Sequence, residues 1–246
     1  MAKPEKSTKD EAEGSAAKNR TRAYIIGAVV AAVAAGAILY FTGNRGEADP
    51  DAPKQDPDVA ALMEPGPLKD IVIGKADAPN TVVEYASMTC SHCAEFHIEV
   101  LPKFKEKYID TGKARYILRE FPLDGLAVAA FMLARCADDD RYYPMVGGLF
   151  ETQKTWAVQG EDGKQKLLLI AKQAGFSQEQ FDKCLDDKDL FNKIVEVRQR
   201  AHDEFGVDST PTFFINGQRL PAGHEIEDFD AVLEGGKTDE TPPPSG

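Results

Sequence analysis

The sequence predicts an α/β domain in which a helical insertion separates two groups of strands, preceded by one transmembrane helix. Short β-branched runs bounded by Gly and Pro are typical of buried strands, and they stand on both sides of a long stretch with helical apolar spacing. The predicted division, in chain order, is a disordered cytoplasmic segment (1–22), a transmembrane signal anchor (23–41), a linker (42–67), the main domain (68–236) and a disordered tail (237–246).

The N-terminal apolar segment, residues 23–41, contains no charge. A helix needs about twenty such residues to cross a bilayer. Lys18, Arg20 and Arg22 precede the segment and acidic residues soon follow it, so the positive-inside rule places the N-terminus in the cytoplasm. A cleaved signal peptide is the alternative, because its apolar region also follows positive charge. Both interpretations export the rest of the chain.

Charge and cysteine content narrow the classes of function. The 246 residues carry a formal net charge of -12, which would repel nucleic acid and anionic lipid surfaces. Binding of phosphate backbones is therefore excluded as a main function. The four cysteines are an even number, which permits two disulfides if the compartment is oxidising.

The main domain begins with strands and returns to them after the insertion. Strands are predicted at 71–73, 81–86, 114–121, 212–215 and 218–220. A helix over 91–108 follows the second strand, with a kink at Pro102, and a last helix covers 225–233. The insertion, at about 125–204, has breaks near Asp138, 160–163 and Gly175, which predict three or four helices.

The motif Cys90-Ser91-His92-Cys93 comes directly after a predicted strand and opens a helix. This context favours a redox-active dithiol. A Cys90 thiolate would face the free N–H groups and the positive dipole end of the helix, which should lower its pKa below the usual value of about 8.5. Cys93, one turn further in, is placed to attack a mixed disulfide on Cys90. The ring of His92 could stabilise the thiolate further.

Other uses of these cysteines stay open from the residues alone. A structural zinc site needs four ligands, and beyond Cys90, Cys93 and His97 the sequence has no second CxxC or HxxxH. A purely structural disulfide would close a very short loop and add little stability. A copper-binding module that uses the same thiols as soft ligands is the alternative from a different class of function.

The segment VVEYASMTCSHCAEFH resembles the active-site segment of the DsbA-like periplasmic thiol-disulfide oxidoreductases, and STPTFFING resembles their cis-proline loop. The resemblance covers about 68–236. It implies a thioredoxin fold interrupted by a helical domain, without cofactor or metal. It also implies that Cys90 is the exposed nucleophile, that Cys93 is the buried resolving thiol, and that a cis Pro211 lies beside them. The backbone of Thr210 would then pair with the extended substrate.

Three further residues acquire expected roles from the same resemblance. Glu84 matches the buried acid that accepts or relays the proton of the inner cysteine, a role that desolvation favours. The alternative is a glutamate at a strand end that reaches solvent. Cys136 and Cys184 lie on predicted helices of the insertion and are expected to be bridged, as in some relatives; unpaired core thiols are the alternative.

The function that the resemblance implies is that of an oxidase, which introduces disulfides into reduced exported proteins and is reoxidised by a DsbB-like membrane quinone reductase. It would be held at the bacterial inner membrane with its domain in the periplasm, or be soluble there after signal cleavage. A reductase or isomerase supplied by a DsbD-like membrane protein is the alternative. It stays open because Ser91 replaces the Pro of the best-known oxidases and Thr210 replaces the Val of many strong ones.

Overall fold

A computed structural model describes residues 59–158, 161–221 and 223–235. The predicted anchor at 23–41, the segment 1–22 and the tail 237–246 lie outside these ranges. None of the helices within the ranges combines the length and apolar character that crossing a bilayer requires. The predicted linker extends too far, because helix α1 (Val59–Met63) lies within it and buries Leu62 in the folded domain.

Five strands form one mixed sheet. They are β1 (Val72–Ile73), β2 (Asn80–Ala86), β3 (Ala114–Glu120), β4 (Thr212–Ile215) and β5 (Gln218–Arg219), in the order β1-β3-β2-β4-β5. The central strands β2 and β3 are parallel, and the other pairings are antiparallel. Both central strands are buried almost throughout, including the charged side chains of Glu84, Arg119 and Glu120.

Helix α2 covers residues 91–109 and directly follows the loop after β2. Its α-helical turns are Ser91–Glu95 and Leu101–Phe104, and its π-helical turns are Phe96–Val100 and Lys105–Ile109. Pro102 has no backbone N–H to donate to the preceding turn. The predicted irregularity at Pro102 therefore takes the form of a π-helical turn just before it.

The helical insertion lies between β3 and β4. Its helices are α3 (Gly125–Arg135), α4 (Asp139–Glu151), α5 (Gln153–Trp156), α6 (Glu161–Gln173), α7 (Gln178–Leu185) and α8 (Lys188–Phe205). The prediction of three or four helices is too low, because α5 and α7 are short and the chain breaks again at 186–187 without Gly or Pro. The predicted break at 160–163 is also too long, since Gly163 lies inside α6. Helix α9 (Ile226–Leu233) closes the fold.

The sheet separates two apolar clusters, because successive strand residues point to opposite faces. Val82 on β2 faces a large cluster formed with α2, α9 and the helical insertion. Val83 and Tyr85 face a smaller cluster that includes α1 and Phe205 at the end of α8. Glu84, which has the orientation of Val82, therefore points from the sheet toward α2 and the buried end of the dithiol.

Candidate active site

The dithiol lies at the N-terminus of α2, where Cys90 is the N-cap residue and Cys93 lies in the first turn. Both are unbonded thiols. Cys93 is completely buried, and Cys90 is 8% exposed. The expectation of an exposed Cys90 is therefore wrong for the dithiol form, in which Cys90 is buried against the cis-proline loop.

Cys90 is held as a strongly acidic thiol. When protonated, its Sγ donates to the carbonyl oxygen of Thr210 at 3.3 Å. A hydrogen bond from the Cys93 thiol lowers the pKa of Cys90 most, and desolvation opposes it. The Thr210 side chain and the backbone N–H groups of Cys93 and His92 lower the pKa further, to about 5. Cys90 is therefore largely a thiolate at neutral pH.

The His92 ring does not serve Cys90 as the sequence suggested. Its Nδ1 lies 3.5 Å from a carboxylate oxygen of Glu95, and its ring centroid is 5.8 Å from that of His224. Its side chain is 66% exposed. The contribution of His92 to the Cys90 thiolate comes from its backbone N–H at the start of α2.

Cys93 has the opposite character. Burial raises its pKa well above the ordinary value, and the hydrogen bond to Cys90 and the negative charge of Glu84 raise it further. Its thiol stays protonated where Cys90 is ionised. The two sulfurs are therefore divided into a nucleophile and an inner thiol that must lose its proton before it can react.

The cis-proline loop faces Cys90 directly. The Thr210–Pro211 peptide bond is cis, and both residues are partly buried. Thr210 Oγ1 is buried and has no hydrogen-bond partner in the dithiol form, so its hydroxyl is available to the Cys90 thiolate. The pairing of the Thr210 backbone with a substrate remains a prediction.

Glu84 lies beneath the dithiol and is completely buried. Its Oε2 contacts His97 Nε2 at 2.9 Å and accepts a hydrogen bond from the Tyr116 hydroxyl, whereas its Oε1 is buried without a partner. The sequence contained a signal for His97, which lies four residues after Cys93 and so on the same helical face. Tyr116 comes from β3, and no pattern in the sequence predicted its proximity to Glu84.

Gln153 is a second residue that the sequence did not reveal. It is buried on α5, and its Nε2 donates to the carbonyl oxygens of Met88 at 2.9 Å and Cys90 at 2.8 Å. These bonds satisfy two buried acceptors of the loop that carries the nucleophile. The helical insertion thereby holds the backbone of the active site in place.

Cys136 and Cys184 form a disulfide that lies within the helical insertion. Cys136 ends α3 and Cys184 lies on α7, 48 residues further along the chain. The bond ties together two helices that pack in the larger apolar cluster. Its position identifies it as a structural cross-link, separate from the dithiol at the start of α2.

An acidic outer thiol paired with a buried inner thiol is the arrangement used for thiol-disulfide exchange, and the helical insertion between the two halves of a thioredoxin fold places the protein in the DsbA-like class. Residues 68–235 match the family model described as thioredoxin. The chain therefore belongs to the thioredoxin family.

Relatives of known structure agree with this assignment. The crystal structure of Wolbachia pipientis alpha-DsbA1 is 35% identical, with a TM-score of 0.65 over 71% of this chain and 94% of that one. Bacillus subtilis BdbD, in its oxidised form, is 23% identical with a TM-score of 0.60 over 73% of this chain and 95% of that one, which supports the fold alone.

A Rickettsia bellii protein, provisionally named a protein-disulfide oxidoreductase, is 34% identical over 166 residues. The match covers 67% of this chain and 63% of that protein. The chain thus spans less than two thirds of the length of this curated relative.

Proposed function

We propose that the protein is an exported thiol-disulfide oxidoreductase that acts as an oxidase and donates the Cys90–Cys93 disulfide to reduced proteins. The observation that carries the proposal is the low pKa of Cys90, about 5, beside a protonated Cys93. Stabilisation of the Cys90 thiolate favours the reduced form. A protein whose reduced form is favoured is a strong oxidant when it carries the disulfide.

The reaction needs two exchange steps. A substrate thiolate attacks the Cys90 sulfur, the Cys90–Cys93 bond breaks, and Cys93 leaves as a thiolate that takes up a proton. A second substrate thiolate then attacks the substrate sulfur bound to Cys90, a substrate disulfide forms, and Cys90 leaves as a thiolate. The substrate loses two electrons and two protons; the dithiol gains the electrons, one proton goes to Cys93 and the other to solvent.

Export is part of the proposal. The uncharged segment 23–41 and the disulfide between Cys136 and Cys184 support it, because structural disulfides persist mainly in oxidising compartments. The proposed location is the bacterial inner membrane, with the domain in the periplasm and a DsbB-like quinone reductase as the reoxidising partner. Fractionation of cells and N-terminal sequencing of the native protein distinguish a retained anchor from a cleaved signal peptide.

The direct test mixes the oxidised protein with a reduced peptide that contains two cysteines. Wild-type protein should transfer one disulfide per molecule, and Cys90→Ser should transfer none. Cys93→Ser, loaded with glutathione on Cys90, should pass this disulfide on without closing its own. If the wild-type disulfide does not reach the peptide, while the reduced protein readily opens or reshuffles substrate disulfides, the reductase or isomerase alternative replaces the oxidase.

A further inference from the structure

Glu84 and His97 form a deeply buried contact beneath the dithiol. The Glu84 side chain is 0% exposed and the His97 side chain is 3% exposed. A lone charge at such a depth would be costly, because burial favours the uncharged form of an ionisable group. A carboxyl and an imidazole that hold one proton between them are neutral as a pair. The contact therefore avoids the free-energy cost of burying a lone charge.

His97 is the basic side chain that contacts Glu84 among the described residues. Among the described residues, no Lys or Arg forms an ion pair with Glu84. The His97 ring is fixed between aromatic rings, with centroid distances of 4.3 Å to Phe150 and 5.6 Å to Phe96. Opposite Glu84 in the sheet, β4 places the apolar Phe213.

The tyrosines near the pair keep their protons. Burial raises the pKa of Tyr116 on β3 well above its ordinary value, and the charge of Glu84 raises it further. Burial likewise raises the pKa of Tyr143 on α4, and its hydroxyl donates to the carbonyl oxygen of Ile71 at 2.7 Å. Beyond these tyrosines and His97, the Cys93 thiol on α2 is the titratable group of the described residues on which the charge of Glu84 acts. Exchange of a proton is therefore confined to Cys93, Glu84 and His97.

We propose that His97 is a positioning residue that shares a proton with Glu84, so that Glu84 Oε1 can accept the Cys93 proton without leaving a net charge beneath the dithiol. The inference rests on thiol-disulfide exchange at Cys90 and Cys93. Before the transfer, the Cys93 thiol is neutral and the pair holds one proton. After the transfer, the Cys93 thiolate carries one negative charge and the pair, with two protons, carries one positive charge.

The two carboxylate oxygens of Glu84 have different surroundings, so one can bind His97 while the other accepts a proton. Oε2 is occupied by His97 and Tyr116, whereas Oε1 is buried without any hydrogen-bond partner. A buried oxygen without a partner is costly in a folded protein, and it is the place where a transferred proton would be retained. In the reverse reaction a substrate thiolate attacks Cys90 and Cys93 leaves as a thiolate. Return of the same proton from Glu84 would then protonate Cys93.

The step to measure is closure of the Cys90–Cys93 disulfide. The mixed disulfide between Cys90 and glutathione is prepared at acidic pH, the pH is raised by rapid mixing, and the release of glutathione is followed. In His97→Gln, the amide can still donate to Glu84 but cannot hold the second proton. We expect closure about tenfold slower at neutral pH, with the rate profile displaced upward by about one pH unit.

Glu84→Gln removes the acceptor and should slow closure in the same way. The double variant should be no slower than the slower single variant, because the two residues act as one unit. His202→Gln, the same substitution at an exposed histidine on α8, should keep the wild-type profile.

Alkylation of Cys90 as a function of pH distinguishes this role from general damage to the site, and its profile should move little in His97→Gln. A wild-type closure profile in folded His97→Gln would refute the inference, as would additive effects in the double variant. If His97→Gln does not fold, the pH profile of closure in Glu84→Gln decides. A wild-type profile in Glu84→Gln would then refute the inference. Absence of exchange in the wild-type protein would instead refute the proposed function.

Discussion

Reduction of the Cys90–Cys93 disulfide should stabilise the folded protein. The pKa of Cys90 falls from an ordinary thiol value to about 5 in the folded dithiol. By linkage, a group with a lowered pKa adds stability above its unfolded pKa, and this stability is lost as the pH falls through the folded pKa. With an unfolded pKa of about 8.5, the folded dithiol gains about 2–3 kcal/mol at pH 7. For a domain of this size that is an increase in Tm of about 5–10 °C on reduction.

The pH dependence identifies the cause. The difference between the reduced and oxidised Tm should shrink as the pH falls toward 5. Above about pH 8.5 the difference should fall again. The gain from Cys90 is complete there, because Cys90 also ionises in the unfolded chain, whereas Cys93 ionises in the unfolded chain but stays protonated when folded.

The assay is thermal unfolding followed by circular dichroism, on samples in which mass analysis shows the disulfide between Cys136 and Cys184 intact. A lower Tm for the reduced protein at pH 7, or a difference that persists at pH 5, would refute the reasoning.

Further predictions concern the same residues and their supports. Iodoacetamide at pH 6 should label Cys90 before Cys93, since the thiolate is the reactive form; mapping of the labelled peptide checks this, and initial labelling of Cys93 would reverse the assigned roles. Replacement of Cys136 and Cys184 by Ser should lower stability by up to about 4 kcal/mol through lost loop closure, measured by urea unfolding, and an unchanged midpoint would show that the bond has no stabilising role. Gln153→Ala should cost about 2–4 kcal/mol, because two buried carbonyl groups lose their donor. Gln199→Ala, at an exposed position on α8, is the control. An equal loss of stability in Gln199→Ala would show that the buried carbonyl groups are not the cause of the loss in Gln153→Ala.

The sequence allowed the fold to be predicted well where local pattern determines structure. The predicted strands and the helix after the dithiol agree with the structure to within one or two residues, because β2, β3 and β4 are short apolar runs with clear boundaries. The helix number in the insertion was too low, because the break at 186–187 depends on tertiary packing rather than on Gly or Pro.

Only those parts of the active site that are formed by residues close together in the sequence could be predicted. The motif from Cys90 to Cys93 and the cis-proline loop are local, so the sequence displays them. The contacts of Glu84 with Tyr116 and of Cys90 with Gln153 join segments 32 and 63 residues apart. Such contacts are set by sheet register and by packing of the insertion, which no local pattern encodes. The His92 ring was misjudged because sequence proximity to Cys90 does not give its direction.

The equilibrium reduction potential of the Cys90–Cys93 pair against a glutathione buffer distinguishes an oxidase from a reductase. The acidic Cys90 thiol and the protonated inner thiol predict a potential between about −120 and −180 mV, the range of oxidising members of the superfamily. Measurement on protein with an intact Cys136–Cys184 bridge keeps the two pairs separate. A potential near the roughly −270 mV of thioredoxin would contradict the oxidase and identify the dithiol as a reductant.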